Sequence, residues 1–248
     1  MRRFTIAPER ISGDRVAFDA DETRHLVRVL RLGPGDVVTA TDGRGGAWAV
    51  RLLTVGDEAT GTIVGAASLA AESPLAIALV QAVPKSDRMD AIVRATTELG
   101  VARILPALTE RTVVHLDAAQ VGARARRWQR VAREATKQCG RAVVPIVEAP
   151  RPLAEWIASE QGADLRLCFW ETEGAPLSRV LERRDRPRSA SVIVGPEGGL
   201  TRDEVASASS AGYVAVTLGE RILRTDTAGP AIVAMLQYAL GDLGGARR

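Results

Sequence analysis

The chain has 248 residues, 46% of them hydrophobic and 25% charged, which suits one large globular domain or two smaller ones and excludes a disordered or fibrous protein. No apolar run is long enough to span a bilayer, and the start, Met1-Arg-Arg-Phe-Thr-Ile, has no signal-peptide core, so a cytoplasmic protein is expected. The net charge of +3 is modest, yet Lys85 and Lys137 are the only lysines among 33 basic residues, and arginine's planar fork suits phosphates and base edges. A GC-rich coding sequence produces the same bias, so where the arginines fall matters more than their number. Cys139 and Cys168 are too few for a disulfide framework, and with His25 and His115 they show no metal-ligand spacing. Buried thiols and a metal-free protein are expected.

Residues 1–72 read as a small β-rich domain with nine basic and ten acidic side chains. Short apolar runs at Arg15–Phe18, Asp36–Ala40, Ala47–Leu53 and Gly61–Val64 are separated by turn signals such as Gly33-Pro-Gly-Asp36 and Asp42-Gly43. One helix interrupts them, from about Glu22 to Leu32. Its Leu26, Val29 and Leu30 are expected to face the core, with Arg24, Arg28 and Arg31 along the other side at i, i+4 and i+7. Ala71-Glu-Ser-Pro74 reads as a linker.

From residue 73 to 248 strands and helices alternate, which implies a mostly parallel sheet covered on both faces. Strands are expected at Leu75–Val83, Arg103–Leu108, Val143–Glu148, Leu165–Trp170, Ser191–Val194 and Tyr213–Leu218. Helices are expected at about 87–99, 118–139, 152–160, 176–184, 201–210 and 227–240. In the longest, Val121, Ala125, Trp128, Ala132, Ala135 and Cys139 form one apolar stripe, and six cations occupy its other faces. Thr201 and Glu204 have the spacing of a capping box for the helix after Leu200.

Two strand ends stand out. Ser191-Val-Ile-Val-Gly-Pro-Glu-Gly-Gly-Leu200 is a buried strand running into a loop almost bare of side chains, where a ligand can approach the backbone closely. Tyr213-Val-Ala-Val-Thr-Leu-Gly219 is another strand ending in glycine, followed by Glu220-Arg-Ile-Leu-Arg-Thr-Asp-Thr-Ala-Gly229. A G-x-G-x-x-G after the first strands and a P-loop signature are both missing, which removes the dinucleotide and nucleoside-triphosphate readings.

GPEGG and LGERILRTDTA together resemble the knotted SPOUT methyltransferases, most closely the RsmE family. Thr96-Thr-Glu-Leu-Gly-Val101, Glu134-Ala-Thr-Lys-Gln-Cys-Gly-Arg141 with Pro145, and His25-Leu-Val-Arg-Val-Leu-Arg31 extend the resemblance, in the family's order, over nearly the whole chain. It implies a SPOUT-type α/β domain at 73–248 with a C-terminal trefoil knot, preceded by a PUA-like RNA-binding domain at 1–72. It also implies S-adenosyl-L-methionine as cofactor, N3 of a uridine in 16S ribosomal RNA of the small subunit as target, and a homodimer with the active site at the subunit interface.

Carried onto this chain, the cofactor residues are Phe169, Trp170, Glu171, Val194, Gly195, Pro196, Glu197, Gly198, Gly199, Leu218, Gly219, Ile222, Leu223, Arg224 and Thr227. The RNA-binding candidates are Arg2, Arg3, Arg24, His25, Arg28, Arg31, Lys85, Lys137, Gln138 and Arg141. Arg224 and Arg221 are the cations suited to negative charge developing on uracil O2 or O4, and Glu197 is a carboxylate suited to accept from N3–H or from the cofactor's amino group. The family commonly has Glu where this chain has Asp226. A non-catalytic ribosomal-RNA assembly factor and a SPOUT ribose 2′-O-methyltransferase are the alternatives; the second usually carries Asn-x-Ser where this chain reads Thr225-Asp-Thr-Ala.

Overall fold

The computed structural model describes residues 3–114, 116–182 and 186–245. The chain forms two compact units. One comprises the residues up to Glu72 together with Arg133–Val144, and the other Ser73–Ala132 together with the chain from Pro145 onward. This division departs from the expected cut at 72/73 by returning twelve later residues to the first unit.

The first unit is built on a six-stranded sheet of β1 (Arg3–Thr5), β2 (Ile11–Ser12), β3 (Arg15–Ala17), β4 (Val37–Thr41), β5 (Ala47–Val55) and β6 (Ala59–Ala66), in the order β1-β4-β5-β6-β3-β2. β1 runs parallel to β4 and the other pairs are antiparallel. Alternating apolar side chains, Val38 and Ala40 on β4 and Val50 and Leu52 on β5, face a core shared with Phe4, Phe18 and Leu26. Phe4 meets Phe18 edge-on with ring centroids 5.8 Å apart.

The helix of this unit differs from expectation. Asp19 caps α1 (Ala20–Arg24) by accepting from the Glu22 amide at 2.8 Å. The chain then widens into a π-helical turn over His25–Val29, where the Leu30 amide reaches back five residues to the His25 carbonyl. Arg31 adopts a left-handed backbone, φ 53°, and ends the helical stretch. The widened turn breaks the 3.6-residue period, so Leu26 is buried while Val29 is 66% exposed. Arg24, Arg28 and Arg31 are all exposed, but they do not form one straight stripe.

The second unit carries an eight-stranded sheet whose pairs are all parallel, rather than mostly so. Its strands are β7 (Ala76–Ala82), β8 (Arg103–Leu108), β9 (Ile146–Val147), β10 (Arg151–Pro152), β11 (Leu165–Phe169), β12 (Ala175–Pro176), β13 (Ser189–Val194) and β14 (Val214–Thr217). The order is β10-β8-β7-β13-β11-β14-β12, with β9 beside β8. The β-branched run Val192-Ile-Val194 therefore lies in the middle, buried between β7 and β11.

Connecting helices are α2 (Arg88–Glu98), α3 (Ala118–Cys139), α4 (Leu153–Ser159), α5 (Leu177–Leu181), α6 (Arg202–Ser210) and α7 (Thr225–Leu240). α6 has the capping box its sequence announces, with both reciprocal bonds present. Trp156 of α4 packs into the core and donates its indole N–H to the Pro106 carbonyl at 2.8 Å. On α3, Trp128, Ala132 and Ala135 are buried, whereas Val121, Ala125 and Cys139 are only half-buried, so Cys139 is not the interior thiol expected.

Candidate active site

The parallel register brings three strand ends to one level. Phe169 of β11 pairs with Val194 of β13 on one side and with Val216 of β14 on the other. Beyond these residues the chain leaves the sheet in three loops, and between the loops lies a cavity of about 450 Å³. That volume is in the range of sites for cofactor-sized ligands, roughly 300–1,000 Å³. Phe169, Val194, Val216, Leu218, Leu223 and Ile232 give it apolar walls, and Gly195, Pro196, Gly199 and Gly219 present backbone. Every expected cofactor residue lines this cavity except Gly198 and Thr227.

Both exceptions have a geometric reason. The Gly198 carbonyl accepts from Arg111 Nη1 at 2.8 Å, and a Cβ on Gly198 would meet the Arg111 Cβ at 3.3 Å, so this glycine faces Arg111. Thr227 is exposed on α7, and Thr225, two residues earlier, lines the cavity instead. Thr225 Oγ1 donates to the Gly195 carbonyl at 2.8 Å. Gly199 is the glycine the loop requires: its φ is +70°, a left-handed backbone conformation that residues with a Cβ rarely adopt. Cys168, one residue before Phe169, is buried, and burial pushes its thiol up to about 12, which makes it a packing group rather than a nucleophile.

The charges divide into two kinds. Arg221 and Arg224 line the cavity and, among the described residues, form no ion pair. Glu197 is held: the Lys85 amide donates to its Oε1 at 3.1 Å, and Arg88 Nη1 lies 3.5 Å from the same oxygen. Glu197 thus ties its loop to the start of α2. Arg88 also lines the cavity, and its Nε is 3.9 Å from Asp226 Oδ2. Sequence reasoning missed Arg88 because it follows β7, and nothing in the chain order places β7 beside β13. The rule that open α/β sheets bind ligands at strand carboxyl ends would have flagged that loop.

Comparison with known proteins identifies the family. A model described as an RNA methyltransferase domain matches residues 71–237, and one described as an RNA methyltransferase PUA domain matches residues 18–64. A ribosomal RNA small subunit methyltransferase E of Synechocystis is 34% identical over 240 residues, 96% of this chain and 78% of the relative. The chain belongs to the RsmE family of RNA methyltransferases. An RsmE of Mycobacterium bovis is 32% identical over 88% of this chain and 84% of its own. The crystal structure of the Neisseria gonorrhoeae RsmE bound to S-adenosylmethionine superposes with a TM-score of 0.88 at 35% identity, covering 98% of this chain and 99% of that one. A Legionella pneumophila protein in complex with the same cofactor gives 0.89 at 29% identity, covering 97% and 98%. The fold is thus the SPOUT type of the RsmE enzymes, with a PUA-like unit before it.

The RsmE motifs in the first unit are less open to solvent than the resemblance implied. Lys137 Nζ lies 2.8 Å from Glu22 and 2.6 Å from Glu134, and its side chain is 10% exposed. Arg141 Nη2 lies 2.6 Å from Glu72, with the same small exposure. Arg3 Nη1 donates to the Lys137 and Gln138 carbonyls. These cations staple the returning segment Arg133–Val144 to the rest of the first unit, so Lys137 and Arg141 are internal partners and not an open RNA-facing pair. Burial raises the Glu22 carboxyl above its ordinary range despite the lysine beside it; at Lys137 burial pulls the ammonium down, but the hydrogen bonds and charges of Glu134 and Glu22 together outweigh it and leave it raised. Arg24, Arg28, Arg31, Gln138 and Lys85 are exposed, and His25 is half-buried with its ring 5.5 Å from that of Phe4. Arg2 lies outside the described residues.

Proposed function

We propose that this chain methylates N3 of a uridine in 16S ribosomal RNA of the small subunit, using S-adenosylmethionine, as a cytoplasmic homodimer whose last three loops come from a trefoil knot. The observation that carries the reading is the cavity at the ends of β11, β13 and β14, lined by bare backbone and by Arg221 and Arg224, which have no ion-pair partner among the described residues. The cavity fits the cofactor: apolar walls suit the purine and ribose, and the bare backbone of Gly195, Gly199 and Gly219 suits the adenine edge.

When bound, the cofactor supplies a methyl group already activated on a sulfonium, so the protein needs no metal and no covalent intermediate. The residues of this chain orient the reactants, exclude water and manage one proton. Glu197 accepts the proton of N3. Arg224, with Arg221, stabilises the negative charge that moves to O2 and O4 as that proton leaves, a role that acts mainly in the transition state. Arg24, Arg28 and Arg31 engage RNA phosphate from the PUA-like unit. Thr225-Asp-Thr-Ala in place of Asn-x-Ser disfavours a ribose target.

The test is single-turnover methylation of small subunits, with the product base identified chemically. Arg224→Ala is expected to lower turnover about a hundred- to a thousandfold with little change in cofactor affinity. Wild-type turnover in both Arg224→Ala and Arg221→Ala, or methyl on a ribose, overturns the reading.

A further inference from the structure

Glu197 sits between Pro196 and Gly198, in a loop whose neighbours offer its side chain little packing. A carboxylate there would sample several rotamers unless something held it, and side-chain freedom of this kind weakens any catalytic alignment. Two groups that follow β7, one in the loop and one at the start of α2, supply the hold. The Lys85 amide donates to Oε1 at 3.1 Å and to Oε2 at 3.4 Å, and Arg88 Nη1 lies 3.5 Å from Oε1. The same guanidinium reaches the first turn of α7, where its Nε is 3.9 Å from Asp226 Oδ2. Three segments distant in sequence thus meet at one side chain, which also forms part of the cavity wall.

The charge balance says what Arg88 does there. One guanidinium faces two carboxylates, so the trio keeps one negative charge in excess. Arg88 is therefore not a third receptor for developing negative charge beside Arg221 and Arg224, which face no carboxylate partner among the described residues. We propose that Arg88 is a positioning residue of the methyl-transfer site: it acts through Glu197, fixing that carboxylate at the cavity and tying it to Asp226. The inference rests on the role assigned to Glu197 above. The Asp226 contact is at the limit of an ion pair, and its buried Oδ1 has no hydrogen-bond partner among the described residues, as expected of a side chain one methylene too short to meet Arg88 fully. Asp226→Glu is therefore expected to keep or raise turnover.

The experiment is a double-mutant cycle of Arg88→Ala and Glu197→Gln with two readouts: thermal unfolding of the cofactor-free protein, and single-turnover methylation of small subunits with cofactor affinity measured alongside. Arg88→Ala is expected to slow turnover about a hundredfold, as misplacement of a reacting group does, while cofactor affinity stays near wild type. Arg88→Lys is expected to recover part of that loss. The double variant is expected to be no slower than Glu197→Gln alone, and the unfolding cycle to show coupling between the two residues. Wild-type turnover in Arg88→Ala, or single effects that simply multiply in the double variant, overturns the proposal. If the wild-type protein places no methyl on N3, the functional reading falls by itself, and absent coupling in the cofactor-free protein separately rejects the hold on Glu197.

Discussion

Thr225 Oγ1 donates to the Gly195 carbonyl at 2.8 Å while receiving a hydrogen bond from Gln81 Nε2 at 3.0 Å. This relay joins β7, the loop after β13 and the start of α7, and both side chains in it are buried. Replacing Thr225 by Val keeps the shape and removes the hydroxyl. The Gln81 amide then loses a partner in a place water does not reach, at a cost of about 1–3 kcal/mol. We expect a lowered melting temperature and weakened S-adenosylmethionine binding; calorimetric titration and thermal unfolding check both. Unchanged affinity would show that the loop keeps its shape without the hydroxyl.

Two adjacent glycines should respond differently to the same change. Gly199→Ala puts a Cβ on a left-handed backbone at φ +70° and displaces the Glu171 carboxylate that lines the cavity, so strain of about 1–2 kcal/mol and a marked loss of cofactor binding are expected. Gly198→Ala places its Cβ 3.3 Å from Arg111, away from the cavity, and should leave affinity within a few-fold of wild type. Equal losses in the two variants would contradict the orientation of the loop described above.

The buried Glu22 makes a pH-dependent prediction. Its carboxyl is raised above the ordinary 4.5, chiefly by burial, so its contribution favours the folded state fully below that value and is lost as pH rises through the folded-state pKa. Glu22→Gln cannot ionise. The stability of the wild type relative to this variant should therefore fall as pH is raised from about 4 towards neutrality. Melting curves of both proteins across that interval test the sign; a constant difference rejects it.

RNA binding should separate the exposed arginines from the internal ones. Arg28 is exposed with no ion pair among the described residues, whereas Arg24 lies 3.0 Å from Asp21. Arg28→Ala is expected to reduce the log–log salt slope of RNA binding by about 0.7–0.9, the value of one phosphate contact, and Arg24→Ala to reduce it less. Arg141→Ala should instead destabilise the first unit by leaving Glu72 without its 2.6 Å partner. A salt slope that follows Arg141 and ignores Arg28 would reverse these roles.

The parts of this molecule that follow local rules are legible in the sequence. Val192-Ile-Val194 is a central buried strand, Thr201 and Glu204 make the capping box, and the bare loops line a cavity. What escaped depends on partners far along the chain. Lys137 and Arg141 look like free cations until Glu22 and Glu72 are found beside them, 115 and 69 residues away in sequence. Arg88 looks like an ordinary first-turn arginine until strand order sets β7 against β13. The arginine stripe failed for a different reason: a period of 3.6 was assumed across a turn whose hydrogen bonds span five residues.

The return of Arg133–Val144 to the first unit has a consequence for the order of synthesis. Domains commonly fold as they emerge, beginning with the N-terminal one. Here the N-terminal sheet leaves the ribosome complete in its strands but incomplete in its charges, with Glu22 and Glu72 awaiting cations that are translated much later. Its final packing is deferred until residue 144 has been made, by which time β7, β8 and all of α3 exist. A fragment ending at Glu72 would hold that unfinished state permanently.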